Sequence, residues 1–157
     1  VGMPVPAVTE ALSKGVIDGA VIPWEVTAAL KVPELVNNHT EFGGDHALYT
    51  TAFVLAINKA RYDGLSDELK KAIDDNSGQE FSAFAGTTQA SADGPSRKAA
   101  VDRGNNIITL DEAEVERWKA AAQPVYDNWV KEMNDKGIDG QALIDEARAL
   151  IEKYTNK

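Results

Sequence analysis

The chain has 157 residues, 43% of them apolar and 26% charged, with a formal net charge of −9 and a pI near 4.7. That length allows one ordinary domain with a hydrophobic core, and the acidic balance excludes partners that reward positive patches, nucleic acid and anionic membrane surfaces among them. Cysteine is absent, which excludes disulfides, thiolate catalysis and cysteine metal sites, and no apolar run approaches the roughly 18 residues of a membrane helix.

Taken in chain order, the text opens at Val1 with "VGMPVP" and reads as a fragment or processed product, so the lack of a signal peptide says nothing about location. Pro6 marks a helix start, with Val8, Leu12 and Val16 at helical spacing. "VIDGAVI", residues 16–22, is β-branched and apolar and predicts a short buried strand of the parallel kind. It stops at Pro23-Trp24-Glu25, and "WEVTAALKV" predicts a short helix opened by Pro23. "PELVNNHTEFGGDH" reads as loop-rich, with its break at Gly43-Gly44. "ALYTTAFVLAINK" predicts the strongest strand, from Ala47 to about Asn58.

Three helical stretches follow. Ser66 caps the first, with Asp67 and Glu68 at its positive end and Leu69, Ile73, Phe81 and Phe84 on one face. Gly78, Gly86 and Gly94-Pro95 interrupt this region. "NNIITL" predicts another short strand. Asp111 and Glu114 form a capping-box pair for a helix in which Val115, Trp118, Ala122, Val125 and Trp129 repeat at three-four spacing around a kinking Pro124. Gly137 ends it, and Asp139 starts a last helix striped by Leu143, Ala147, Leu150 and Tyr154. Both stripes read as core. The fold class is α/β: a helix-rich chain with a small mixed sheet and long C-terminal helices, whose strands are too few to stand alone comfortably.

Chemical motifs are sparse. His39 and His46, with Glu41 and Asp45 between them, compose a metal-site alternative, but zinc needs three or four close ligands and the preferred reading is polar loop residues. An EF-hand counted from Asp74 would place Gln79 where Gly is required and Ala85 where Glu is required, so the acidic run reads as a solvated helix face. No Walker A, GxGxxG or GxSxG motif occurs. No cofactor and no metal is expected. What remains is the strand that ends in Pro23-Trp24-Glu25. A helix N-terminus at the carboxyl end of a sheet is where open α/β folds bind ligands, and it favours an anion. Trp24 offers a flat wall and one N–H donor there, or else it is a core anchor of helix on sheet. All five arginines lie at or beyond Arg61, so a bidentate donor for an anion near Trp24 must come from elsewhere.

Three ordered blocks, "VGMPVPAVTEALSKGVIDGAVIPWEVTAALKVPELVNNHTEF", "LYTTAFVLAINKARYDGLSDELKKAIDDNSG" and "AAAQPVYDNWVKEM", resemble the solute-binding proteins of TRAP (tripartite ATP-independent periplasmic) transporters. The resemblance runs over nearly the whole chain. It implies the C-terminal half of a two-lobed, clamshell binder about twice this length. On that reading 1–46 is part of the second ligand-binding lobe, 47–58 is a strand crossing between lobes, and 59–157 is a helical region packing on both, with the N-terminal lobe absent from this chain. The implied function is capture of an organic acid in the periplasm and delivery to the TRAP membrane subunits, without catalysis. The family's carboxylate-clamping arginine is expected upstream of Val1. A family position often held by a polar residue is Ile22 here, and with Trp24 and Phe42 nearby this points to a less polar or aromatic carboxylate. Ile22, Pro23, Trp24, Glu25, Phe42, His46 and Tyr49 are the candidate ligand-binding residues, with Glu25 assigned to holding a loop rather than touching an anion.

Two other classes compete. One is an enzyme acting on a small carboxylic acid, with His46 as base and Asp45 as its neighbour. The other is a helical interaction module using Trp118, Trp129 and Tyr154. Surfaces meant for a missing lobe are expected to self-associate, with exchange of the long strand between copies.

Overall fold

The computed structural model describes residues 1–44 and 46–155. The chain divides into two compact units, one made of residues 1–41 and 47–109, the other of residues 42–46 and 110–157.

The first unit begins with α1 (Ala7–Ser13), opened by Pro6. Its end is closed by Gly15 in the left-handed region (φ 64°) and by the Val16 N–H donating to the Ala11 carbonyl at 2.9 Å, a glycine-terminated stop. Residues 16–23 run without regular structure to α2 (Trp24–Thr27), a single turn that follows extended Pro23. α3 (Val32–Leu35) is another single turn, with Pro33 in its first positions where a missing N–H costs nothing. The Thr9 hydroxyl ties α1 to this region by donating to the Leu30 carbonyl at 2.9 Å.

β1 (Asn38–Phe42) follows, and β2 (Asn106–Leu110) pairs with it in a two-stranded sheet. The Asn106 N–H donates to Asn37 and the Gly43 N–H to Leu110, so both strands run the same way. Between them come α4 (Lys59–Asp63), α5 (Asp67–Asp75), α6 (Gln79–Ala90) and α7 (Asp93–Asp102). Asn58 and Ser66 cap α4 and α5 by accepting the Arg61 and Leu69 N–H groups. α7 packs on α2. The buried core of this unit is small: Val8, Val32 and Ala100, joined by the polar Thr27 and Ser96. Both of those hydroxyls are satisfied, Thr27 donating to the Trp24 carbonyl and Ser96 to that of Glu25, as burial requires.

The second unit is a helical hairpin of α8 (Glu112–Asp135) and α9 (Gly140–Thr155). The Asp111 carboxylate caps α8 by accepting the Glu114 N–H at 2.9 Å, and that of Asp139 accepts the Ala142 N–H at 3.0 Å. Pro124 lies inside α8, as expected. Gly137 takes the left-handed turn (φ 77°) between the helices. A Cβ on the buried Gly140 would lie 2.9 Å from the Val130 Cα, so the crossing of the two helices requires glycine.

The helix-rich α/β class stands, with its sheet parallel rather than mixed. Several elements differ from expectation. "VIDGAVI" and residues 47–58 form no strand. A strand needs a neighbour for its N–H and C=O groups, and none among the described residues is placed beside them. Phe53, Val54 and Leu55 are 74, 87 and 90% exposed. Conversely, the stretch read as a loop forms β1, because His39 and Glu41 find polar partners distant in sequence, Asn105, Arg97 and Thr109, that composition does not reveal. Gly86 and Gly94-Pro95 do not interrupt helices: Gly86 sits within α6, and Pro95 falls in the first turn of α7, where it is tolerated. The stripes on α8 and α9 are less buried than a core stripe. Trp118, Val125, Leu143 and Tyr154 are each more than 40% exposed, since the hairpin offers each helix only one partner.

Gly140→Ala is expected to destabilise the hairpin by about 1–3 kcal/mol through overpacking. Gly86→Ala, where an added Cβ meets nothing within 4 Å, is expected to stabilise α6 by roughly 0.5–1 kcal/mol. Urea denaturation midpoints of the two variants should move in opposite directions.

Candidate functional site

β1 places His39 and Glu41 two residues apart, hence on one face of the strand. Trp24, the first residue of α2, lies against that face. Its ring sits 5.1 Å from the His39 ring, tilted by 30°. Arg97, from α7, grips the same carboxylate with both arms of its guanidinium: Nε donates to Oε2 and Nη2 to Oε1, each at 2.8 Å. The Thr109 hydroxyl of β2 donates to Oε1 at 2.9 Å. Three donors therefore converge on one carboxylate, and its pKa is held below the usual value of 4.5, with the Arg97 hydrogen bonds the largest cause. Reciprocally, Glu41 raises the Arg97 pKa further.

His39 is fixed from its other side. The Asn105 amide nitrogen, at 3.0 Å from His39 Nε2, also donates to the Pro33 and Val36 carbonyls. Burial lowers the His39 pKa below 6.5, which favours the neutral imidazole.

Glu25 points into the packing between helices. Its Oε1 accepts from Gln89 Nε2 at 3.1 Å. Asp93 stands at the start of α7. Desolvation, and then the Glu25 charge, raise the Asp93 pKa.

The seven candidate residues are distributed over both units. Ile22, Pro23, Trp24 and Glu25 are contiguous and half-buried in the first, where Tyr49 is 46% exposed on the strandless segment. In the second, Phe42 meets Trp118 edge-on at 5.5 Å and His46 Nε2 lies 3.3 Å from Glu112 Oε2. Asp45, the carboxylate weighed beside His46, lies outside the described residues. Among the described residues, no group of three or more His, Asp or Glu could hold a metal ion. The anion-attracting helix N-terminus expected at Trp24 is weaker than anticipated, because α2 is a single turn and carries little dipole. Sequence reasoning missed Glu41, Arg97, Asn105 and Thr109. The alternation His39-x-Glu41 was the available signal, and it was hidden by reading "NHTEF" as loop.

Both depressed pKa values carry a pH signature. A group whose folded pKa is lowered contributes stability above its unfolded value and loses it as pH falls. Stability is therefore expected to decline in two stages on acidification, first below about pH 6.5 as His39 protonates, then below about pH 4.5 as Glu41 does. His39→Gln should flatten the first stage and Glu41→Gln the second, read as urea midpoints across pH 7 to 3.

The model of the family described as bacterial extracellular solute-binding protein, family 7 (DctP) matches residues 1–132. Solved structures agree. A TRAP solute-binding protein from Rhodoferax ferrireducens T118, in complex with copurified benzoate, is 47% identical over 99% of this chain and 49% of its own, with a TM-score of 0.91. A marine metagenome TRAP solute-binding protein specific for aromatic acid ligands, in complex with metahydroxyphenylacetate, is also 47% identical, over 98% of this chain and 48% of its own, with a TM-score of 0.91. One from Bordetella bronchiseptica with bound mandelate is 26% identical over 98% of this chain and 48% of its own, with a TM-score of 0.81. The chain thus spans about half the length of these solved relatives. No helix among the described residues is long and apolar enough to cross a membrane. With the match covering most of its length, the chain belongs to the bacterial extracellular solute-binding proteins of family 7 and has the fold of the TRAP solute-binding proteins.

Proposed function

We propose that this chain forms part of a two-lobed periplasmic protein that captures an aromatic carboxylate and delivers it to TRAP membrane subunits without transforming it. The observation that carries the reading is Trp24. Its indole is braced at the entry to α2 on a rigid polar face, half-buried rather than sealed in a core, which suits a flat wall for an aromatic ring. Ile22 beside it is apolar, where a polar neighbour would serve a sugar acid. The relatives with bound benzoate and metahydroxyphenylacetate support the same ligand class.

Glu25 does not touch the anion in this reading, because Gln89 already engages it and like charges repel. Phe42, His46 and Tyr49 are assigned as further lining residues. The partner of the ligand carboxylate lies outside these 157 residues: Arg97 is committed to Glu41, and Arg103 Nε donates to the Pro33 carbonyl. Segments 1–46 and 59–157 then belong to the ligand-binding lobe and to the helical region packing on both lobes, and 47–58 crosses between the lobes once a partner strand is present.

Titration calorimetry of the complete protein is expected to show one benzoate bound with micromolar or tighter affinity and no product formed. Trp24→Ala is expected to weaken binding by about 1–3 kcal/mol, or roughly 5- to 150-fold. A preference for sialic acid over aromatic acids would refute the ligand assignment, and turnover of the acid would favour an enzyme.

The 157-residue chain alone is expected to bind the acid weakly or not at all, and to self-associate through the exposed apolar segment at Phe53–Leu55. A monodisperse monomer in light scattering at high concentration would contradict the second expectation.

A further inference from the structure

We propose that His39, held in place by Asn105, is the positioning residue of the ligand site: its imidazole fixes the plane of the Trp24 indole and so favours flat aromatic acids over puckered alicyclic ones, without touching the ligand. The inference rests on the reading of Trp24 as a ligand wall and adds how that wall is held.

Trp24 opens a helix of one turn, and so short a helix supplies little rigidity of its own. Its backbone is tied down: the Thr27 hydroxyl donates to the Trp24 carbonyl at 2.8 Å, and α2 packs on α7. Neither tie reaches the indole, whose side-chain torsions remain to be set. The ring partner of Trp24 among the described residues is His39, with centroids 5.1 Å apart and planes 30° from parallel. That separation lies within the range of favourable ring contacts. A ring lying alongside limits tilting of the indole, which is the motion that would spoil a flat wall.

His39 can back the indole only because it is itself held. α7 ends in a turn in which the Gly104 N–H donates to the Val101 carbonyl at 2.9 Å and the Asn105 N–H to the Ala100 carbonyl at 3.1 Å, and this paired stop fixes where Asn105 stands. Ala100 has no exposed surface, so the stop is anchored in the core. From there the Asn105 amide nitrogen reaches the Pro33 carbonyl at 2.9 Å, the Val36 carbonyl at 3.0 Å and His39 Nε2 at 3.0 Å. Arg103 Nε donates to the same Pro33 carbonyl at 3.1 Å. The end of α7 thus staples the approach to β1 together with the imidazole that β1 carries, and through that imidazole it reaches a ring on α2.

The test uses the complete protein and two acids, benzoate and the non-aromatic cyclohexanecarboxylate, titrated by calorimetry. A puckered ring meets an indole through scattered C–H groups and depends less on its angle. His39→Gln removes the imidazole but leaves Asn105 a polar neighbour. It is expected to weaken benzoate binding roughly 3- to 10-fold and cyclohexanecarboxylate binding less than about 2-fold. In a Trp24→Ala background the same substitution is expected to change benzoate affinity by less than about 2-fold. His39→Phe restores a flat ring and is expected to recover most of the loss. If His39→Gln fails to fold, Asn105→Ala, which keeps the imidazole but releases it, is expected to weaken benzoate binding about 3-fold, with the same dependence on the acid and on Trp24.

Equal losses for the two acids overturn the positioning role, since a general loosening of the fold produces them, and leave the ligand assignment standing. A benzoate loss of equal size with and without Trp24 also overturns it, because His39 would then act on binding by a route other than the indole. So does His39→Phe binding as weakly as His39→Gln, which would trace the effect to the polar tie rather than to the ring. Benzoate affinity unaltered by Trp24→Ala removes the ligand wall itself. That result ends the proposal through the reading it rests on, whatever the His39 variants do.

Discussion

The carboxylate of Glu41 is the point on which the first unit closes. A charged group with only 18% of its side chain exposed must be paired or the segment carrying it will not stay in place. Arg97 satisfies it from α7 and Thr109 from β2. Two elements distant in sequence are thus brought to one strand by a single side chain. Arg97 keeps 43% of its side chain in contact with water, so solvent screens the attraction and the pair contributes less to stability than its geometry alone implies. Its value lies in specificity: bidentate pairing admits one register between α7 and β1, where apolar packing would tolerate several.

That specificity matters because the apolar core is thin. Val8, Val32, Ala100 and Val115 are the buried apolar residues, and no large side chain among the described residues is fully buried. Small residues sit at the close approaches. Ala100, with no exposed surface, lies on the helix that packs against α2, and Gly140 lets α9 reach the Val130 backbone. Meanwhile Phe53, Val54, Leu55, Phe84 and Val125 are each exposed by two thirds or more. A chain that exposes so much apolar surface has faces shaped for contacts beyond those it makes with itself. The solved relatives, about twice as long as this chain, are built with more material around the same fold.

The electrostatics of the site fit a binder better than a catalyst. Burial lowers the His39 pKa, and Arg97 lowers that of Glu41. Both pKa values are moved away from neutrality, whereas a general acid or base works best with one brought towards it. Groups pinned in a single protonation state over the working pH range make a surface of fixed shape and charge.

Local features were legible from sequence because they depend on neighbours within a turn or two. The Ser66 and Asp111 caps, the stop at Gly15, the turn at Gly137, β2 and the short helix after Pro23 all follow from residue types at fixed spacing. So did the family resemblance and the leaning towards an aromatic acid, which rested on Ile22, Trp24 and Phe42. Strand formation at residues 16–22 and 47–58 was overcalled, because β propensity describes readiness to pair and cannot supply the partner. "NHTEF" was undercalled for the opposite reason: Glu41 and His39 look like solvent-facing loop residues until Arg97, Thr109 and Asn105, more than 55 residues away in sequence, come to rest against them. The sequence by itself determined helix ends, composition class and the resemblance to one protein family. Only the tertiary structure decided that the Glu41 carboxylate is clamped by Arg97 and Thr109, since those contacts exist through a crossover of four helices which returns an arginine to the strand the chain left.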